Sequence, residues 1–223
     1  VAAHVATGAR PMDRAILLFP AGLEFIVAFF GCLYAGVIAV PAPLPDGARL
    51  KRTMPRLQAI AADAEPTLVL VPTEVLSDAE HYKALAPELA RPRWISTDDL
   101  PDLTPAAAPT PAGPHDLAYL QYTSGSTSAP RGVQISHLNI MHNSQLICET
   151  REHGPHSVAV TWMPHFHDFG LVGGIFQPIY AGYPGYLMSP FSFIKQPSRW
   201  LQAISRYRAT HTDAPTFAYG PCL

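Results

Sequence analysis

Charge is what this sequence has least of. Asp, Glu, Lys and Arg make up 14% of its 223 residues, against roughly 25% in ordinary soluble proteins. With 48% hydrophobic residues, the chain is neither a disordered segment nor an acidic or basic tail. So little charge points to an unusually large buried share or to a piece of a larger polypeptide. Fifteen Lys and Arg stand against seventeen Asp and Glu, a formal net charge of −2, and no basic run stands out, so nucleic acid is not expected as a partner. Cysteine is scarce too. Cys32, Cys148 and Cys222 are odd in number and far apart, with no CxxC pair, which excludes a zinc ribbon or a redox motif and reads as a reducing, cytoplasmic setting. A membrane span is lacking: the apolar run from Phe25 to Val40 stops at Pro41, short of the roughly 20 residues a span needs. The chain begins Val-Ala-Ala-His without an initiator Met or a charged region before its apolar run. No signal peptide is read there, and the start is taken as not the native one.

What is present alternates. Short apolar runs at Ala15 to Phe19, Val37 to Val40, Thr67 to Val71 and Arg93 to Ser96 are separated by helical-period segments at Leu23 to Ala35, Thr53 to Ala64 and Glu74 to Ala86. That alternation is the signature of βαβ units and a mostly parallel sheet. Five prolines between Asp98 and Pro114 remove too many N–H donors for helix or inner strand, so this stretch reads as a surface linker. Beyond it, strands are expected at Leu117 to Tyr122, Val133 to Ser136, Val158 to Met163, Tyr186 to Ser189 and Thr210 to Asp213. Helices are expected at His137 to Glu152, Phe169 to Tyr180 and Pro197 to Tyr207, with a further helical turn opening near Leu223.

Two segments carry chemistry. Between the strands at 117 and 133 runs Tyr122-Thr123-Ser124-Gly125-Ser126-Thr127-Ser128-Ala129-Pro130-Arg131-Gly132-Val133. Backbone N–H groups in such a turn form an anion nest, and Ser and Thr hydroxyls add donors. Gly125 and Gly132 permit close approach and unusual dihedrals, and Arg131 can pair with a phosphate oxygen. The Walker pattern is absent, and the loop runs strand to strand rather than strand to helix, which excludes a P-loop NTPase. The second segment is Trp162-Met163-Pro164-His165-Phe166-His167-Asp168-Phe169-Gly170-Leu171, where a strand ends and a helix begins, the usual ligand edge of an α/β sheet. Taken alone, Asp168 can be a helix cap and His167 a satisfied loop histidine. His165 and His167 lack further ligands at supporting spacing, so no metal is assigned to them.

The first segment resembles the phosphate loop of the adenylate-forming superfamily, approximately TSGSTGxPKG, with Ser128 in place of a usual Gly and Arg131 in place of a usual Lys. A narrower resemblance, to fatty acyl-AMP ligases, rests on Phe29-Phe30-Gly31-Cys32-Leu33-Tyr34-Ala35-Gly36, Gln177-Pro178-Ile179-Tyr180-Ala181-Gly182, Leu187-Met188-Ser189-Pro190, Trp200-Leu201-Gln202-Ala203-Ile204 and Pro215-Thr216-Phe217-Ala218-Tyr219. Thr216 stands where that family commonly has Asn, and Gly220 where it has Asp.

The resemblance implies ATP-dependent activation of a fatty acid to an acyl-adenylate with release of pyrophosphate, using Mg²⁺, followed by transfer to an acyl carrier protein in lipid or polyketide synthesis. It implies phosphate contacts at Thr123, Ser124, Gly125, Ser126, Thr127, Arg131 and Gly132, a catalytic role for His167, and an acyl-substrate pocket at Phe166, Asp168, Pro215 and Thr216. The aromatic-Gly-x-Thr-Glu metal motif, the ribose-binding Asp and the catalytic Lys have no counterpart here and are expected beyond Leu223. The chain is therefore read as a truncated N-terminal portion, inactive alone. The alternatives are a long-chain fatty acid–CoA ligase and a non-catalytic binding module of the same fold. The expected fold is α/β, two packed, mostly parallel sheets with flanking helices. Residues 1–44 and 152–223 would form one sheet unit, and 45–151 the second, with the phosphate loop.

Overall fold

The protein was analysed as a computed structural model, which describes residues 1–98, 100, 111–123 and 130–222. Most of the proline-rich linker and residues 124–129 of the Ser/Thr/Gly loop lie outside that description. The chain falls into two compact units, Val1–His137 and the region from Leu138 onward.

The first unit contains α1 (Ala2–Gly8), β1 (Arg14–Leu18), α2 (Leu23–Tyr34), β2 (Ile38–Ala42), α3 (Leu50–Ala64), β3 (Leu68–Val71), α4 (Thr73–Leu76), α5 (Ala79–Leu85), β4 (Arg93–Ser96), β5 (Leu117–Thr123) and β6 (Arg131–Ser136). Its strands form one six-stranded sheet in the order β4-β3-β1-β2-β5-β6. All neighbours are parallel except β5 and β6. Every residue of β2 and β3, and all of β1 but Arg14, is buried. Such unbroken apolar runs need cover on both faces, which parallel crossovers supply. On one face, α3 sets Met54, Leu57, Ile60 and Ala64 against Ile16, Leu18, Val40 and Val69. On the other, α2 buries Phe25, Ala28, Phe29 and Cys32, the i, i+3, i+4, i+7 stripe of an amphipathic helix. Phe29 meets Tyr119 of β5 edge to face, with ring centroids 5.7 Å apart. Burial pushes the Cys32 thiol up to about 12, so it stays protonated and serves as packing.

The grouping of residues 1–44 with the C-terminal region is corrected by this pairing. β1 and β2 sit at the centre of the sheet that ends in the candidate phosphate loop, paired with β3 and β5. The reason is connection length: α2 is a short crossover that returns β2 beside β1, and α3 carries β3 back to the other side of β1. Two smaller departures are local. β2 runs through Pro41 to Ala42, where the sequence reading stops at Val40; its ladder with β5 is recorded only at Ala39↔Tyr119. The helix expected over Glu74 to Ala86 is broken into α4 and α5, and the Ser77 hydroxyl donates to the Glu74 carbonyl at 2.6 Å, competing with helix continuation at the break.

The second unit holds most of α6 (His137–Arg151), then β7 (Ala159–Thr161), a π-helical segment (Phe169–Phe176) running into α7 (Gln177–Ala181), β8 (Gly185–Leu187), α8 (Pro190–Lys195) and α9 (Ser198–Tyr207). β7 and β8 pair in parallel, and the strand expected at Thr210 to Asp213 is reduced to the single bridge Ala159↔His211. The sequence reading missed α8, although Ser189-Pro190 marks its start: the Ser189 hydroxyl accepts from the Ser192 N–H at 3.1 Å, with Pro190 in the first turn. Trp162, Phe193 and Trp200 form the core, the first two rings stacked at 3.9 Å. The fully buried Gln177 amide donates to the Ser144 carbonyl at 3.0 Å and lies 3.1 Å from Cys148 Sγ, which ties α6 to the start of α7. Among the described residues no helix is long and apolar enough to cross a membrane.

Because Phe29 is fully buried between α2 and β5, Phe29→Ala is expected to cost about 3–5 kcal/mol, the sum of lost transfer energy and an unfilled cavity. Urea unfolding of the variant beside the parent chain measures it.

Candidate functional site

In the first unit, β5 and β6 form the two stems of an antiparallel hairpin with Thr123 opposite Arg131 and Tyr122 opposite Gly132. Two strands joined by so short a connection can only be antiparallel. Thr123 and Arg131 are exposed at the open end of the stem. Both were expected inside a loop; they are the last and first residues of strands. Ser124, Gly125, Ser126 and Thr127 lie outside the described residues. At Gly132, of the close approach and the unusual dihedral expected, only the first is found. Gly132 does not have positive φ; its requirement is proximity, since a Cβ there would lie 2.9 Å from Tyr122 Cζ and 3.0 Å from its oxygen. The Tyr122 ring lies across the position where Gly132 has no side chain, an arrangement that pins strand register.

In the second unit, the turn after β7 leads into the π-helical segment. Gly170 lets the two meet: a Cβ on it would stand 2.2 Å from the Pro164 carbonyl oxygen. This close approach turns the chain sharply and leaves His167 and Asp168 exposed at the helix start. A π-helical turn is uncommon and recurs at functional sites. Asp168 Oδ1 accepts from the Phe169 N–H at 2.7 Å, so the capping role foreseen for it is realised. The same oxygen lies 2.5 Å from His167 Nδ1. His167 Nδ1 in turn accepts from the Phe169 N–H at 3.2 Å. Nε2 is then the nitrogen of His167 left for a ligand.

His167, Asp168, Phe169 and Val172 line, with Asn143 of α6, an open groove of about 340 Å³. Asn143 was not foreseen; in the sequence it is one polar residue of a helix with little apolar patterning. Phe166, Pro215 and Thr216 do not line this groove. Phe166 packs edge to face on His165 at 5.5 Å. Pro215 precedes a 3₁₀ turn over Thr216–Ala218, on which Thr216 is exposed. Phe176 and Phe193 are core residues, and Phe191 is exposed. His165 is 9% exposed, and burial pushes its imidazole down to about 4, so it is neutral at neutral pH. Among the described residues, no group of three or more His, Cys, Asp or Glu side chains could hold a metal ion.

Two expectations follow. Gly170→Ala must displace either the Pro164 turn or the helix start, which is expected to cost about 1–3 kcal/mol, read as a lower urea midpoint. His165 is neutral in both states above its ordinary value of 6.5. Between there and about 4 the unfolded chain takes up a proton that the native chain refuses, so stability falls as pH falls. The loss approaches the order of 3 kcal/mol by pH 4, and a pH series of unfolding midpoints is expected to be flatter for His165→Gln.

Comparison with known proteins follows the same lines. The profile of the family described as AMP-binding enzyme matches residues 1–220. The chain is 52% identical over 213 residues to the medium-chain-fatty-acid–[acyl-carrier-protein] ligase JamA of Moorena producens, covering 95% of this chain and 36% of that protein. It is 37% identical over 227 residues to the long-chain-fatty-acid–AMP ligase FadD32 of Mycolicibacterium smegmatis, covering 98% of this chain and 35% of the relative. The solved fatty acyl-adenylate ligase from L. pneumophila, in complex with acyl adenylate and pyrophosphate, superimposes with a TM-score of 0.88 at 38% identity, over 98% of this chain and 37% of that one. The chain thus spans little more than a third of these proteins.

Proposed function

The chain belongs to the AMP-binding enzyme family, and from that premise we propose that it forms part of a cytoplasmic ligase that activates a fatty acid as its acyl-adenylate. ATP is the second substrate, pyrophosphate the leaving group and an acyl carrier protein the acceptor. What carries the reading is the 52% identity, across 95% of the chain, to a ligase named for transfer to acyl carrier protein.

The chemistry asks for little covalent work. A carboxylate oxygen attacks the α-phosphorus of ATP, the bond to the β-phosphate oxygen breaks, and the charge moves onto pyrophosphate. Two anions must be brought together and the developing charge stabilised, which is work for donors rather than for a general base. In this reading Thr123 and Arg131, at the open end of the hairpin, offer a hydroxyl and a guanidinium to the departing phosphates together with Ser124, Gly125, Ser126, Thr127 and the Gly132 backbone. His167 offers Nε2 toward the forming acyl-phosphate bond, its ring held by the hydrogen bond from the Phe169 N–H to Nδ1 and set beside the Asp168 carboxylate. Phe166, Asp168, Pro215 and Thr216 bear on the acyl substrate. Among the described residues no group of three or more His, Cys, Asp or Glu side chains could hold Mg²⁺.

The test is ATP–pyrophosphate exchange dependent on added fatty acid, run on the full-length polypeptide. His167→Ala is expected to lower the rate by about 10²–10³, the usual cost of one preorganised donor, at an unchanged thermal midpoint. A lowered midpoint with an unchanged rate returns His167 to a capping role. Arg131→Ala and Thr127→Ala are expected to weaken pyrophosphate handling. Residues 1–223 alone are expected to show no exchange, because the adenine, ribose and lysine motifs of the family are not in them; exchange by that chain overturns this expectation.

A further inference from the structure

Asp63 stands in the last turn of α3, where a carboxylate faces the helix's unsatisfied carbonyls and is electrostatically unwelcome. Arg14 relieves the helix end: its Nε donates to the Ala64 carbonyl at 2.6 Å and an Nη to the Glu65 carbonyl at 3.0 Å. Glu65 then leaves the helix at φ 44. With those carbonyls occupied, Asp63 Oδ2 accepts a hydrogen bond of 2.5 Å from the hydroxyl of Tyr122.

Tyr122 is 4% exposed and belongs to the core beneath α3. It immediately precedes Thr123, and its ring lies against Gly132, next to Arg131. One side chain therefore touches the helix, its own strand and the facing strand at the point where the hairpin opens. We propose that Tyr122 and Asp63 are positioning residues: their hydrogen bond clamps both hairpin stems to α3 and holds Thr123 and Arg131 in register for a phosphate-bearing ligand. This rests on the phosphate reading of the hairpin given above. Neither residue touches the ligand. The hydroxyl matters for where it fixes the strands, and any acceptor of the same shape at position 63 serves equally well.

The experiment uses the 223-residue chain and two measurements. Amide hydrogen exchange follows the stem, over the ladder amides of β5 and β6 against the β1 and β3 amides, and calorimetric titration follows inorganic pyrophosphate. In Tyr122→Phe, which keeps the ring, and in Asp63→Ala, stem exchange is expected to rise about tenfold while β1 and β3 are unchanged. Pyrophosphate affinity is expected to fall in parallel, and Asp63→Asn, which retains an acceptor, is expected to restore both. Unchanged stem exchange overturns the clamp. Faster stem exchange with unchanged affinity overturns its positioning role and leaves a packing contact. A parent chain that binds no pyrophosphate overturns the phosphate reading instead, and the exchange measurement then decides alone whether the pair holds the strands.

Discussion

Double-sided burial of the three central strands is the constraint on which the first unit depends. β1, β2 and β3 have almost no polar face, and each alternate residue must find apolar cover on one side or the other. α2 and α3 supply that cover from opposite faces. β5 inherits the division: Tyr119 faces Phe29 of α2, whereas Tyr122 sinks into the core under α3. The edge hairpin is thus anchored to both layers through two tyrosines three residues apart. Thr123 and Arg131 are exposed at the end of a hairpin whose inner strand, β5, is packed between both layers, the usual way in which a polar end is held by an apolar scaffold.

The second unit solves a different problem with shorter elements. Its parallel pair has only three residues per strand, too few to hold a sheet alone. Support comes from the Trp162, Phe193 and Trp200 cluster and from the chain of hydrogen bonds in which Trp200 Nε1 donates to the Thr212 hydroxyl at 2.9 Å and that hydroxyl donates to the Val160 carbonyl at 2.7 Å. Against this frame the Gly170 approach to Pro164 forces His167 and Asp168 outward. Their exposure follows from a backbone contact, not from hydrophilicity, and a side chain at 170 would disturb it.

Much of this was legible before any coordinates. Strands β1, β3 and β4 and helices α2, α3, α6 and α9 fall within a few residues of their expected bounds, because their apolar spacing is regular and their ends carry Gly, Pro or polar residues. Less regular elements were misread for identifiable reasons. Ser77 breaks a helix by bonding its own backbone, Ser189-Pro190 opens a short helix inside an apolar stretch, and Thr210 to Asp213 has β-forming residues yet only one partner bridge. The candidate site was legible as a set of residue types, through the hydroxyl-rich hairpin and the His-Asp pair. Asn143 and Asp63 were not, since each is one polar residue among several on its helix and acquires meaning only through what lies across from it.

By itself, the sequence determined the α/β class, the strand-to-strand character of the Ser/Thr/Gly segment and the placing of His167 and Asp168 at a strand-to-helix turn. All of these are written in local periodicity and turn chemistry, which act between residues near in the chain. Only the tertiary structure decided which sheet β1 and β2 join, that Gly132 is required by a ring rather than by a dihedral, and that Asp63 reaches Tyr122. Those outcomes depend on contacts between residues far apart in sequence. Their selection is made by the packing of whole faces, for which local pattern carries no register.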